Sequence, residues 1–437
     1  MLDGLDEFCA KALAEHGCAS VSLAVAQGDK LVLTRAYGLA DVAGQRPATP
    51  ETVYGLASIT KAFTAAAACL AADEGLLDLD APISGPPAPT PRQLLQHRGG
   101  FPAFYNFHYG PGPLPIDIDR YRALVHAPGS EFEYSNIGYQ EVGRLLEAVT
   151  GQDLGGYLRD RIAAPLGLAS FDFGPAHPGA ARRYSADGRA YATCHSGHPA
   201  AGAGWATAGD VALFARNSAQ LLAPATVAAT YDAVPVNEQT GYGLGRVVSR
   251  GPGPVTRSHG GGMGGIATMM IDLPEHEVSI AVLTNNTNKA ARDAIVSHLV
   301  GTVAPGFANE QVNPITEQAR PMTLPPGDWA GSISTSEGDV PLRVLVDRQV
   351  SLALADGAPV TASADASARW DLRAAALLQL PTADARHNSP DLALELRVEQ
   401  DRLVGRATAF KDGDRDGWLG AYLVHPCVLR RQPSSRR

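Results

Sequence analysis

Residues 20–27 (SVSLAVAQ) and 30–38 (KLVLTRAYG) alternate apolar and polar side chains on either side of Gly28-Asp29. That alternation predicts two strands joined as a β-hairpin. The period then changes. Residues 60–74 form an alanine-rich run closed by Gly75, which predicts a helix with its C-terminal stop. Apolar positions spaced near 3.6 over 137–150, ending at Gly151, predict a second helix. Residues 210–222 predict a third, with Asp210 as its cap. Strand texture returns at 241–250, 265–273 and 277–286, the last two joined by a turn at Pro274-Glu275-His276. Strands at both ends of this region, with helices between, are housed most economically in one antiparallel sheet carrying a helical insert.

Beyond residue 303 the texture becomes polar and proline-bearing, and 304–325 reads as a linker. Short strands then recur at 329–335, 342–347, 350–355, 393–400, 402–410 and 420–425, which predicts a small β-barrel or sandwich over 326–437. A length of 437 residues agrees with two domains, here 1–303 and 326–437. Hydrophobic content of 45% and charged content of 19% are those of a globular protein. The net charge of −9 argues against a nucleic-acid or anionic-membrane partner, and the basic tail 430–437 (RRQPSSRR) reads as solvated. The acidic start MLDGLDEFCAKALAEHG has no apolar run of a secretory signal, and no stretch approaches the ~18 apolar residues of a membrane span. Five cysteines without C-x-x-C spacing read as free thiols in a reducing compartment, so a cytoplasmic location is expected.

The chemistry-bearing residues lie in three places. Ser58 and Lys61 stand three apart at the start of the first predicted helix, on one face. A serine is a weak nucleophile until its proton is removed, and a lysine removes it only when burial keeps the amine neutral. A capping serine with a solvated lysine would give the same short pattern. Tyr134 and Asn136 precede the second helix, where a core tyrosine and an N-cap asparagine are the plain alternative. His259 is followed by Gly260, Gly261 and Gly262 and then by a strand. Gly260, Gly262 and Gly265 match G-x-G-x-x-G, but that fingerprint opens a helix, so a dinucleotide site is excluded and no cofactor is expected. The glycines instead allow a backbone N–H to approach a substrate oxygen. Cys194, His195 and His198 lack a fourth ligand at suitable spacing and read as a polar loop, so no metal is expected. His97 reads as a loop-structuring residue, and the absence of G-x-S-x-G argues against an α/β-hydrolase. The aromatic run 101–110 (FPAFYNFHYG) suits either an acyl pocket or packing.

Taken in order, SITK (58–61), YSN (134–136) and HGG (259–261) resemble the motifs of the serine β-lactamase and penicillin-binding-protein superfamily. The Tyr-x-Asn and His-x-Gly forms resemble the branch of class C β-lactamases, D-aminopeptidases, esterases and acyltransferases. Residues 94–102 (LLQHRGGFP) and 202–215 (GAGWATAGDVALFA) are similar to further segments of that branch. The resemblance covers roughly residues 10–300. It implies an α/β (α+β) domain, an antiparallel sheet flanked by helices with a helical subdomain. The C-terminal part resembles the lipocalin-like barrel appended to some members, with two roles open: covering the active-site mouth or stabilising the first domain.

The resemblance also implies roles. Ser58 would be acylated by an ester or amide, Lys61 would take its proton, and Tyr134 would protonate the leaving group and later activate the acceptor. Asn136 would orient Lys61 and, with Gly261 and Gly262, bind substrate, while the N–H groups of Ser58 and Gly262 would form the oxyanion hole. His259 would polarise Tyr134 or meet a substrate carbonyl. Gly260 replaces the family's frequent Thr or Ser, so a carboxylate such as that of a β-lactam is expected to bind poorly. Three functions compete: a hydrolase of small-molecule or peptide esters and amides, an acyltransferase or peptide cyclase in which an amine replaces water, and an inactive ligand-binding relative.

Overall fold

The computed structural model describes residues 4–433 apart from Pro86, 111–115, Pro252 and 313–317. The first compact unit comprises Met1–Gly100, His108–Gly112 and Ala127–Ile315. Its main sheet is built from β1 (Ser20–Gln27), β2 (Lys30–Asp41), β3 (Arg46–Pro47), β4 (Val234–Pro235), β5 (Thr240–Tyr242), β6 (Val247–Ser249), β7 (Arg257–Met263), β8 (Ile266–Leu273) and β9 (Val278–Thr284). The order is β3-β2-β1-β9-β8-β7-β6-β5-β4. Each pair is antiparallel, and β1 lies against β9 with Val21 opposite Thr284. The sheet therefore joins the two ends of the unit, as the hydrophobic pattern predicts.

Helices α1 (Leu5–Glu15) and α5 (Ala290–Val303) frame the sequence of this unit, and neither is anticipated. Leu5, Cys9 and Leu13 of α1 pack with Ile295 and Leu299 of α5 and with Val21, Leu23, Ile271 and Ile280 of the sheet in one buried cluster. Along α5 the buried positions 291, 292, 295, 296, 299 and 300 share one face, but the charged Arg292 among them and the small residues elsewhere on the helix blur the stripe in the sequence. Helix α2 (Thr60–Asp73) ends as predicted: Gly75 has φ +74°, and the N–H groups of Gly75 and Leu76 donate to Ala72 and Ala71. Helix α3 (Asn136–Thr150) ends at left-handed Gly151.

Three local expectations are corrected. Helix α4 spans Ala208–Asn217, is capped by Thr207, and gives way to a 3-10 turn at Ser218. Asp210 instead accepts hydrogen bonds from the N–H and hydroxyl of Ser170. Ser135, not Asn136, caps α3, its hydroxyl accepting from the Gly138 N–H. The single strand expected at 241–250 is two, β5 and β6, because the chain turns at Gly243–Arg246, where Gly243 N–H donates to the Arg246 carbonyl.

The second unit comprises Phe101–Phe107, Pro113–His126 and Thr316–Arg437. Eight strands close into a barrel: β10 (Gly327–Thr335), β11 (Gly338–Val346), β12 (Val350–Leu354), β13 (Val360–Asp365), β14 (Leu372–Ala376), β15 (Asp391–Glu399), β16 (Arg402–Phe410) and β17 (Leu423–Arg431). The sequence pattern misses β13 and β14 and places the last strand too early. The two earlier segments pack within this unit. Tyr105 and Tyr422 exchange backbone hydrogen bonds, Phe104 stacks on Tyr121 with centroids 5.0 Å apart, and the Tyr121 hydroxyl donates to Asp384. The aromatic run thus divides: Phe101–Phe107 belongs with the barrel, whereas Tyr109 stacks on Tyr191 in the first unit. Among the described residues no helix is long and apolar enough to cross a membrane.

Candidate active site

Ser58 sits on a 3-10 turn, Ala57–Ile59, that runs into α2. The preceding Ala57 is held at φ +47°, a left-handed conformation costly for a residue with a Cβ. Neighbouring segments impose it. The Leu56 N–H donates to Gly204, the Gly204 N–H donates to the Thr60 hydroxyl, and the Thr64 hydroxyl donates to Ala200. The stretch 202–215 singled out in the sequence therefore begins as a clamp on the start of α2.

Lys61 is fully buried. Its Nζ donates to Ser58 Oγ at 3.0 Å and to the Ala201 carbonyl at 3.0 Å. Burial alone lowers its pKa well below the ordinary lysine value. Its Nζ lies 4.8 Å from the ring centre of Tyr134 and 5.6 Å from that of Tyr139. Asn136, buried at the first turn of α3, is not an acceptor of either Lys61 bond.

Tyr134 is placed by its neighbours. His97 stacks against its ring at 4.2 Å, and His97 Nδ1 accepts the backbone N–H of Ser135 at 3.0 Å. His97 itself has φ +55° and receives the Glu133 N–H on its carbonyl. It structures the loop, as its sequence context suggests.

The glycines of β7 allow close approach. A Cβ on Gly261 would fall 2.3 Å from the Leu56 carbonyl oxygen and 2.1 Å from the Thr268 hydroxyl, so any side chain there would push the strand off the Ser58 turn. Over Gly262 lies the side chain of Lys289, whose Nζ would be 3.4 Å from a Cβ at that position. Lys289 thus brings an amine beside Gly262, with burial as the main cause lowering its pKa. His259 is held at both ring nitrogens. Its Nδ1 is 2.7 Å from the Gly260 carbonyl and so carries the proton, leaving Nε2 to accept the Tyr242 hydroxyl at 2.8 Å. Its ring centre is 6.4 Å from that of Tyr134.

Burial and then Lys61 push His259 and His198 down to about 3 and His97 well below its usual value. The unfolded chain binds protons at these imidazoles near pH 6.5, whereas the folded protein does not. Stability is therefore full above about pH 6.5 and is lost as the pH falls toward 3. Each of His198 and His259 is expected to remove up to about 2 kcal/mol between pH 7 and pH 5, before carboxylates titrate. Denaturant midpoints across this interval test it: a flat profile would mean that the imidazoles are not held neutral.

The structure brings Ser58, Lys61, Tyr134 and the β7 glycines into one neighbourhood. Sequence reasoning missed Tyr242, the Ala201 carbonyl and Lys289. Tyr242 belongs to an unremarkable strand, a backbone carbonyl has no sequence signature, and Lys289 reaches Gly262 only through the fold.

The beta-lactamase family model matches residues 5–303. Protein flp of Staphylococcus aureus (strain MW2) is 31% identical over 170 residues, 35% of this chain and 34% of that protein. Esterase EstB of Burkholderia gladioli is 29% identical over 206 residues, 40% of this chain and 52% of the esterase. The chain thus matches between a third and about half of the length of these relatives. The structure of SurE with D-Leu has a TM-score of 0.64 at 22% identity, covering 98% of this chain and 99% of SurE, which is a likeness of fold. The family match takes in most of the chain and contains all three motifs, and the chain belongs to the beta-lactamase family.

Proposed function

We propose that Ser58 attacks the carbonyl of an ester or amide, forming an acyl-enzyme that water or an amine then resolves. In this reading Lys61 takes the hydroxyl proton as attack begins. Tyr134 returns a proton to the departing alcohol or amine and later activates the acceptor. The N–H groups of Ser58 and Gly262 hold the developing oxyanion, and Asn136 with Gly261 lines the acyl position. His259 acts through Tyr242, keeping the aromatic wall around Lys61 in place. The observation that carries this reading is the 3.0 Å contact between Lys61 Nζ and Ser58 Oγ, with the amine fully buried and biased toward its neutral form. It disfavours an inactive ligand-binding relative, for which a buried lysine would be a cost without a use.

An amine acceptor is the finer part of the proposal. An acyl-serine partitions between water and amines, and the likeness to SurE, whose structure holds D-Leu, keeps an amino-acid amine among the candidates. A reducing, cytoplasmic setting belongs to the same reading, since all five cysteines are free and buried. The test uses an activated ester donor with a panel of amines, reading product masses and the mass of Ser58-acylated protein. Amide yield should rise with amine concentration while the acyl-enzyme mass falls. Free acid as the sole product at every amine concentration would make the protein a plain hydrolase. Rapid turnover of a chromogenic cephalosporin in the same panel would overturn the expectation that Gly260 disfavours β-lactams.

A further inference from the structure

A cavity of about 20 Å³ lies behind α2, on the face formed by Ala62, Ala66 and Cys69. Opposite that face it is lined by Arg246, Arg257 and Ser218. Both arginines are buried, at 3% and 6% exposure. A cavity of this size holds one water molecule or one ion of similar size.

The charges around it do not balance. Arg246 donates to the Ala215 carbonyl and the Ser218 hydroxyl, and Arg257 donates to the hydroxyls of Tyr231 and Thr230. These acceptors are neutral. Each guanidinium also stacks on a ring, Arg246 on Phe214 at 5.4 Å and Arg257 on Tyr231 at 4.1 Å, which offsets only part of the desolvation. The nearby carboxylate is Asp272, the cross-strand partner of Arg257, and it is already paired with Arg216 at 3.3 Å. Three guanidiniums therefore share one carboxylate. Arg257 Nε, in addition, is buried with no protein acceptor. Burial and then Arg257 press the Arg246 pKa down to about 9, so Arg246 is still charged at neutral pH. A buried guanidinium pair with only a shared carboxylate to balance it is costly, and an anion between the two relieves the cost.

We propose that this cavity binds a small monovalent anion of halide size, held by Arg246 and Arg257 against the back of α2. The site is separate from the Ser58 chemistry and stands or falls independently of it. Its role is to neutralise the charge on which the helix bearing Lys61 is packed.

Bromide is the probe. Crystals of the whole protein grown in sodium bromide should show an anomalous peak in the cavity, within hydrogen-bond reach of Arg257 Nε. Melting temperature, measured at constant ionic strength as bromide replaces sulfate, should show a rise that saturates, as expected for a ligand that binds only the folded state. In Arg257→Gln the saturable rise should disappear. If that variant does not fold, the wild-type anomalous peak and saturable shift decide the matter alone. A cavity holding water with no anomalous signal would overturn the proposal. So would a peak at molar bromide only, without a saturable shift, which is an adventitious ion only. An equal bromide response in wild type and Arg257→Gln would also overturn it.

Discussion

Ser58→Ala is expected to lower turnover of any accepted ester by at least roughly 10⁴-fold, the scale on which loss of a covalent nucleophile acts. The same substitution should leave the fold unchanged. Ser58 is partly exposed, and Ala57–Ile59 is held by backbone and threonine contacts that do not use its hydroxyl. Lys61 keeps its bond to the Ala201 carbonyl when the hydroxyl is removed. The measurement is kcat/KM together with intact mass after incubation with donor. Wild type should gain the acyl mass and the variant should not. An active, acylated Ser58→Ala protein would place the nucleophile elsewhere in the chain.

Removing the proton acceptor should cost less than removing the nucleophile but more than any change at the rim. Lys61→Met, which keeps the length of the side chain and deletes the amine, is expected to lower kcat/KM by at least ~100-fold, as is Tyr134→Phe. The two should differ in stability. Lys61→Met relieves the burial of an ionisable group but leaves the Ala201 carbonyl without its donor, a cost of about 1–3 kcal/mol, so the two effects oppose. Tyr134→Phe retains the ring that stacks on His97 and should melt close to wild type. In wild type the rate should rise with pH through a group titrating below the ordinary lysine range, because only the neutral amine accepts the serine proton. That limb should vanish from the residual activity of Lys61→Met. Wild-type rates in both variants would show that the proton relay runs through other groups.

Much of the site was legible because its signals are local. Ser58 and Lys61 are one helical turn apart, and that spacing needs no tertiary information to bring them together. The stops at Gly75 and Gly151 follow from the left-handed backbone that glycine alone adopts cheaply. Alternation over 20–27 and 30–38 gave the hairpin, and the strands after residue 326 gave most of the barrel. The triple glycine of β7 suggests room for a substrate oxygen, and at Gly261 the group that comes close is the Leu56 carbonyl.

What the sequence left open was decided by contacts between distant residues. Asp210 and Asn136 have the right chemistry for caps, but Thr207 and Ser135 took that role, leaving Asp210 to bind Ser170. The run 241–250 reads as one strand because periodicity does not register the turn at Gly243–Arg246. Helix α5 buries one face, but Arg292 stands among its buried residues and blurs the stripe, and α1 gains its place by packing against α5 and the sheet. Residues 101–110 carry one aromatic texture yet serve two units, since aromatic packing is non-directional and composition does not say what it packs on. The bond from Tyr242 to His259 and the charge imbalance at Arg246 and Arg257 arise where strands and helices meet. Sequence by itself placed Ser58 and Lys61 side by side and determined the helix that carries Lys61. Only the tertiary structure determined how deeply Lys61 is buried, and hence its bias toward the neutral form, because desolvation is a property of everything packed around a group.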